Sequence, residues 1–160
     1  MRELKSRGYE AYDTDDDGFA RWRNDKTGYI YPKSSVKKED RTEDFLKTHS
    51  WQVPRREIEE LAKKANDHAI FLCGVASNEN QIGDLFKTVF ELTIDDETLI
   101  RRLLTRTNND WGKQPHELQH SLAEQHNNAG LGRKFVRISI DATKPLQTVV
   151  GEILKIVESA

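Results

Sequence analysis

"KFVRISIDATKPLQTVVGEILKIV", residues 134–157, is the stretch on which the fold turns. Its first part, KFVRISI, has the apolar and β-branched content of a strand, and DATKP supplies a turn ending in proline. The remainder sets Leu146, Val149, Val150, Ile153 and Val157 on one face at helical spacing, so it predicts a strongly amphipathic helix. A strand that passes by a short turn into such a helix is half of a parallel-sheet unit, because the helix must carry the chain back along the sheet.

The same alternation extends toward the N-terminus. VPRREIEELAKKAND aligns Ile58, Leu61 and Ala65 on one face after Pro54 and reads as a helix, while HAIFLCG is too short for one and reads as a strand. ENQIGDLFK follows as a short helix, TVFELTI as a strand, and DDETLIRRLLTRTN as a helix capped by Asp95 or Asp96 with Leu99 and Leu103 inward. Pro115 opens a helix through HELQHSLAEQHNNAG that Gly130 stops. At the other end, residues 2–7 form the last turns of a helix closed by Gly8, YEAYDT is a short strand, and residues 19–48 form a polar excursion of loops with short helical pieces. Strands alternating with helices predict an α/β fold with a mostly parallel sheet covered on both faces.

At 160 residues a single domain is expected, and a net charge of −2 with 32% charged residues gives no basic field for nucleic acid. The single cysteine, Cys73, allows no internal disulfide and suits a reducing, cytoplasmic setting. No apolar run reaches the roughly 20 residues of a membrane span, so no membrane association is expected.

Three motifs carry chemistry. HELQHSLAEQH, residues 116–126, offers His116, His120 and His126 as zinc ligands with Glu117 as base, the pattern of a zinc metallohydrolase. The competing reading is a polar helix. Ala123 stands where the chain would have to leave the helix at a glycine, and in a continuous helix His126 lies about 15 Å from His116. Met1 is the sole methionine, so no methionine turn follows. DTDDDG, residues 13–18, matches the start of a calcium loop, but the twelfth position is Asn24 and the entering segment is strand. At the carboxyl end of a parallel strand, however, Asp13 and Asp15 are placed to orient a hydroxyl acceptor or a magnesium-bound water. Arg102 and Arg106, one helical turn apart, can face one site and suit phosphoryl oxygens, with Gly112 and Lys113 in a mobile loop beyond them. Arg21 and Arg23 could meet an acceptor from the other side, and residues 141–145 join the last strand and helix at the same edge.

In their order, SRGYEAYDTDDDG, AIFLCGVASNE, TRTNNDWGKQPHEL and ISIDATKPLQTVVGEILKIV resemble the small P-loop kinases of the adenylate-kinase and shikimate-kinase type, including nucleoside- or nucleotide-kinase-like ATP-binding proteins. The resemblance implies a three-layer α/β/α domain over residues 1–160 with a lid at about 107–115. It maps the family's acceptor-binding aspartate to Asp13 or Asp15, beside which Arg21 stands as a further candidate acceptor contact, and it implies phosphate contacts at Arg102 and Arg106 and an adenine-side turn of Asp141, Ala142, Thr143, Lys144 and Pro145. It assigns HELQH to the helix after the lid, with no metal there, and gives the intact family form ATP and Mg2+ as cofactors. That family opens with a central strand and a G-x-x-x-x-G-K-[ST] phosphate loop. Neither is found here, since Gly112 and Lys113 precede Gln114 and lack the upstream glycine. The domain is accordingly expected to be N-terminally incomplete, with a gap between the strands near 69–73 and 89–94. Little activity is expected of this chain, and a homo-oligomer or partner is expected to cover the incomplete sheet. A non-catalytic nucleotide-binding or interaction module is the alternative.

Overall fold

The computed structural model describes residues 1–65, 68–128 and 136–159, without the side chains of 127 and 128. Along the chain these are α1 (Arg2–Ser6), β1 (Glu10–Asp13), β2 (Arg21–Asn24), α2 (Glu43–Leu46), β3 (His49–Gln52), α3 (Arg55–Lys64) and β4 (Ile70–Cys73). There follow α4 (Glu79–Ile82), β5 (Val89–Thr93), α5 (Asp96–Thr105), α6 (Pro115–Asn128), β6 (Arg137–Asp141) and α7 (Leu146–Glu158). The expected stop at Gly130 and the first two residues of KFVRISI lie outside the described residues.

The result is a three-layer α/β fold whose parallel strands form two sheets. β1 pairs with β4 from Glu10↔Ile70 to Asp13↔Cys73, and β5 pairs with β6 from Val89↔Arg137 to Thr93↔Asp141. α7 spans both. Its Val150 and Leu154 pack with Leu4 of α1 and Ala11 of β1, while Val149 and Ile153 pack with Ile140 and Ala142. Phe71 of β4 touches both clusters, so β4 lies toward the β5–β6 pair. On the opposite face α3 buries Ile58 against Val53, Ala20 and Ile82, with Leu72 of β4 beside them.

Among the described residues β4 pairs only with β1 and β5 only with β6, which leaves each with an unpaired edge. Neither strand has the burial of a sheet centre. All four residues of β4 are half-buried, and Leu92 of β5 is 55% exposed although Phe90 and Ile94, on its side by alternation, pack toward α7.

Two details differ from the sequence expectation. The excursion contributes β2, which pairs antiparallel with β3 through Trp22↔Trp51, in addition to its short helical pieces. In α7, Leu146 is 54% exposed and Leu154 is buried in its stead, because the helix meets the sheets along 149, 150, 153 and 154 while its first turn stands clear. No described helix is long and apolar enough to cross a membrane.

Candidate functional site

The carboxyl end of β1 runs straight into the acidic turn, and local hydrogen bonds determine which carboxylates remain available. Asp13 Oδ1 accepts the amides of Asp15 (2.9 Å) and Asp16 (3.0 Å), and Asp17 Oδ2 accepts the Asp13 amide at 2.7 Å. Asp13 and Asp17 are therefore engaged in building the turn. The turn is seated on β4 by Thr14, which is buried and donates its amide to the Cys73 carbonyl at 2.9 Å. Gly74 makes room for it: φ is +150° and a Cβ there would fall 1.8 Å from Thr14 Oγ1.

Asp15 is thus turned outward into an open cleft of about 660 Å³, lined also by Asp16, Arg106, Asn109, Asp110 and Lys113. Trp51 Nε1 donates to Asp15 Oδ1 at 3.1 Å, and Asn109 Nδ2 donates to Oδ2 at 3.3 Å. Two expected residues, Asp15 and Arg106, come together here. Arg106 leaves α5 in an extended conformation and donates from Nη2 to the Trp111 carbonyl at 2.8 Å. Burial pulls its guanidinium below the usual arginine range, opposed by the carboxylates of Asp15, Asp110 and Glu117.

The other expected residues go elsewhere. Arg102 donates to the Ala142 carbonyl at 2.8 Å, so the two arginines diverge: Arg106 serves the cleft and Arg102 holds the 141–145 turn. In that turn Asp141 Oδ1 accepts the Thr143 amide (3.0 Å) and hydroxyl (2.6 Å). These two bonds, the hydroxyl first, hold the Asp141 carboxyl below the ordinary aspartate range. Lys144 pairs with Glu152 at 2.9 Å, and Pro145 caps α7. Arg21 pairs with Glu57 at 3.0 Å beside a second hollow of about 410 Å³ lined by Tyr12, Phe19 and Leu61, and does not line the Asp15 cleft.

Lys113 contributes less free charge to the cleft than its sequence position suggests. Its ammonium donates to the carbonyls of Leu104 (2.5 Å) and Arg106 (2.7 Å), which closes the C-terminus of α5. The loop turns at Gly112, with φ +82°, where a Cβ would sit 3.2 Å from Leu103. The cleft is consequently lined by the carboxylates of Asp15, Asp16 and Asp110, the last paired with Arg41, and by the guanidinium of Arg106, an array suited to a ligand rich in hydrogen-bond donors.

The histidines of HELQHSLAEQH point to three different partners. His116 Nε2 donates to the Arg41 carbonyl at 2.7 Å, His120 Nδ1 lies 3.5 Å from Glu124, and His126 Nε2 lies 3.0 Å from Asp96. Among the described residues no group of three His, Cys, Asp or Glu side chains is arranged to hold a metal ion. Glu117, the motif's proposed base, is fully buried; its Oε2 accepts the Gly112 amide at 3.0 Å and its Oε1 lies 3.0 Å from Arg41 Nε.

Trp51 and Arg41 belong to the surroundings of the site without having been singled out in sequence. In the sequence Glu117 stands out only as the base of the zinc motif, and Asn109 only as part of the expected lid at about 107–115. Compared with known proteins, the chain matches no family model, no curated protein and no solved structure.

Proposed function

We propose that this chain is the acceptor-binding, lid-bearing part of a P-loop-type small-molecule phosphotransferase and that its acceptor is a neutral, hydroxyl-rich molecule. The observation that carries the reading is the meeting of Asp15 and Arg106 in one cleft beyond the end of a parallel strand, where α/β folds bind ligands. Asp15 is placed to accept a hydroxyl hydrogen bond and take the proton as that oxygen becomes a nucleophile. Arg106 supplies positive charge where a transferred phosphoryl group would gather it. The carboxylates favour a hydroxyl acceptor over an anionic one, because a phosphate monoester would meet Asp15 and Asp16 on entry, Asp110 being paired with Arg41.

The residues present do not furnish the donor side. ATP and Mg2+ in this family need a nest of backbone amides, a lysine and a hydroxyl, whereas Lys113 caps α5 and no G-x-x-x-x-G-K-[ST] sequence occurs. Residues 1–160 are therefore expected to bind acceptor and to turn over ATP little or not at all. The test compares this chain with one carrying a strand and a glycine-rich phosphate loop fused ahead of Met1. ATP-dependent phosphorylation of a nucleoside or sugar is expected only in the fusion, with Arg106→Ala lowering kcat by about 10²-fold or more. Robust turnover by the short chain, or none by a folded fusion with any hydroxylated acceptor, defeats the proposal.

The edges of β4 and β5 left unpaired among the described residues favour a second reading, an interaction module whose sheets are completed by another polypeptide strand. A monodisperse monomer with no affinity for β-strand peptides would count against it.

A further inference from the structure

The loop that brings Arg106, Asp110 and Lys113 to the cleft is held from behind by one residue of the polar excursion. Arg41, with its side chain only 12% exposed, donates from Nη2 to Asp110 Oδ1 at 3.1 Å and brings Nε within 3.0 Å of Glu117 Oε1. Its guanidinium lies 5.6 Å from the centre of the Trp111 ring. The same segment grips the loop's far end through its backbone: the Arg41 carbonyl accepts from His116, and the Lys38 carbonyl from Gln114 Nε2 at 3.3 Å.

We propose that Arg41 is the positioning residue of this site, a latch that fixes the 106–114 loop over Asp15. The guanidinium donates to Asp110 directly, lies over the Trp111 ring, and reaches Gly112 by its ion pair with Glu117, whose other oxygen receives the Gly112 amide. Three successive loop residues are thus tied to one planar cation. An ammonium has no comparable fork, so lysine cannot bridge both carboxylates and cover the indole together. The two arms differ in exposure. Glu117 is 0% exposed and serves as the anchor, while Asp110 is 55% exposed and lines the cleft. The latch rests on the proposed function only in giving the cleft a ligand; the order of the loop in the free chain does not depend on it.

Amide hydrogen exchange on the ligand-free 160-residue chain tests the inference. Arg41→Lys is expected to speed exchange at Trp111 and Gly112 by about tenfold or more, with β1 and α7 remaining within about twofold of the parent. Asp110→Asn, at an exposed position, is expected to give a smaller rise at the same two amides with an unchanged melting temperature. Added to Arg41→Lys it should give no further rise, since both changes remove the same arm. Unchanged exchange at Trp111 and Gly112 in Arg41→Lys overturns the latch. So does equal acceleration throughout the chain, or full additivity of the two variants. Because no ligand is present, a failed latch is distinguishable from a failed acceptor assignment.

Discussion

Replacing Gly74 by alanine probes the joint on which the acidic turn rests. The residue has φ +150°, and an added Cβ would lie 1.8 Å from Thr14 Oγ1 and 2.7 Å from its Cβ. Thr14 cannot swing aside freely, because it is buried and its amide is bonded to the Cys73 carbonyl. Forcing alanine into that backbone region costs about 1–3 kcal/mol, and overpacking against Thr14 adds about 1–3 kcal/mol. Gly74→Ala should therefore destabilise by about 2–6 kcal/mol, a large part of the stability of a small domain. Urea unfolding followed by tryptophan fluorescence reads this, and Thr14→Ala separates the terms. In the Thr14→Ala background the Gly74→Ala cost should shrink to the backbone part, a non-additivity of about 1–3 kcal/mol. An effect of Gly74→Ala below about 0.5 kcal/mol, or equal costs in both backgrounds, would refute the packing argument.

Two further outcomes follow from the core and from α6. Ile153→Ala and Leu154→Ala remove buried side chains from the two α7 clusters, so each should cost about 2–5 kcal/mol while leaving one cooperative urea transition; separation into two transitions would contradict α7 as the element joining the sheets. His120 has its pKa raised above 6.5 by the carboxylate of Glu124, which lies 3.5 Å from its Nδ1 and faces its N–H as acceptor, with burial working against it. The pair should therefore stabilise the fold fully below 6.5 and lose that contribution as pH rises through the raised value. NMR titration should place His120 above the ordinary histidine value and Glu124→Gln should lower it, whereas no downward movement would refute the pairing.

The βα units were legible in the sequence because burial writes periodicity. Val149, Val150 and Ile153 repeat at helical spacing and are all buried in α7, and Asp95 accepts the Thr98 amide as the N-cap of α5. The β2–β3 pair was not legible. RWRN and HSWQ are polar four-residue strands, half-buried throughout and separated by a long connection, so neither alternation nor a tight hairpin marks them. At the site, Asp15 and Arg106 could be found from their places at a strand end and a helix end. Trp51 could not, since it reaches Asp15 across 36 residues of chain, and Asn109, 94 residues away, was legible only as part of the expected lid. Arg41 lay hidden for the same reason, and Glu117 was disguised by a metal-binding motif whose histidines have other partners.

The most direct test of the central claim is an NMR titration of the 160-residue chain with nucleosides and sugars, their phosphate monoesters run in parallel. The account predicts that a neutral hydroxylated compound perturbs the amides of Asp15, Asn109 and Lys113, that Asp15→Asn abolishes the response, and that the monoester binds more weakly. Tighter binding of the monoester, or no response at these three residues to any compound, would contradict it.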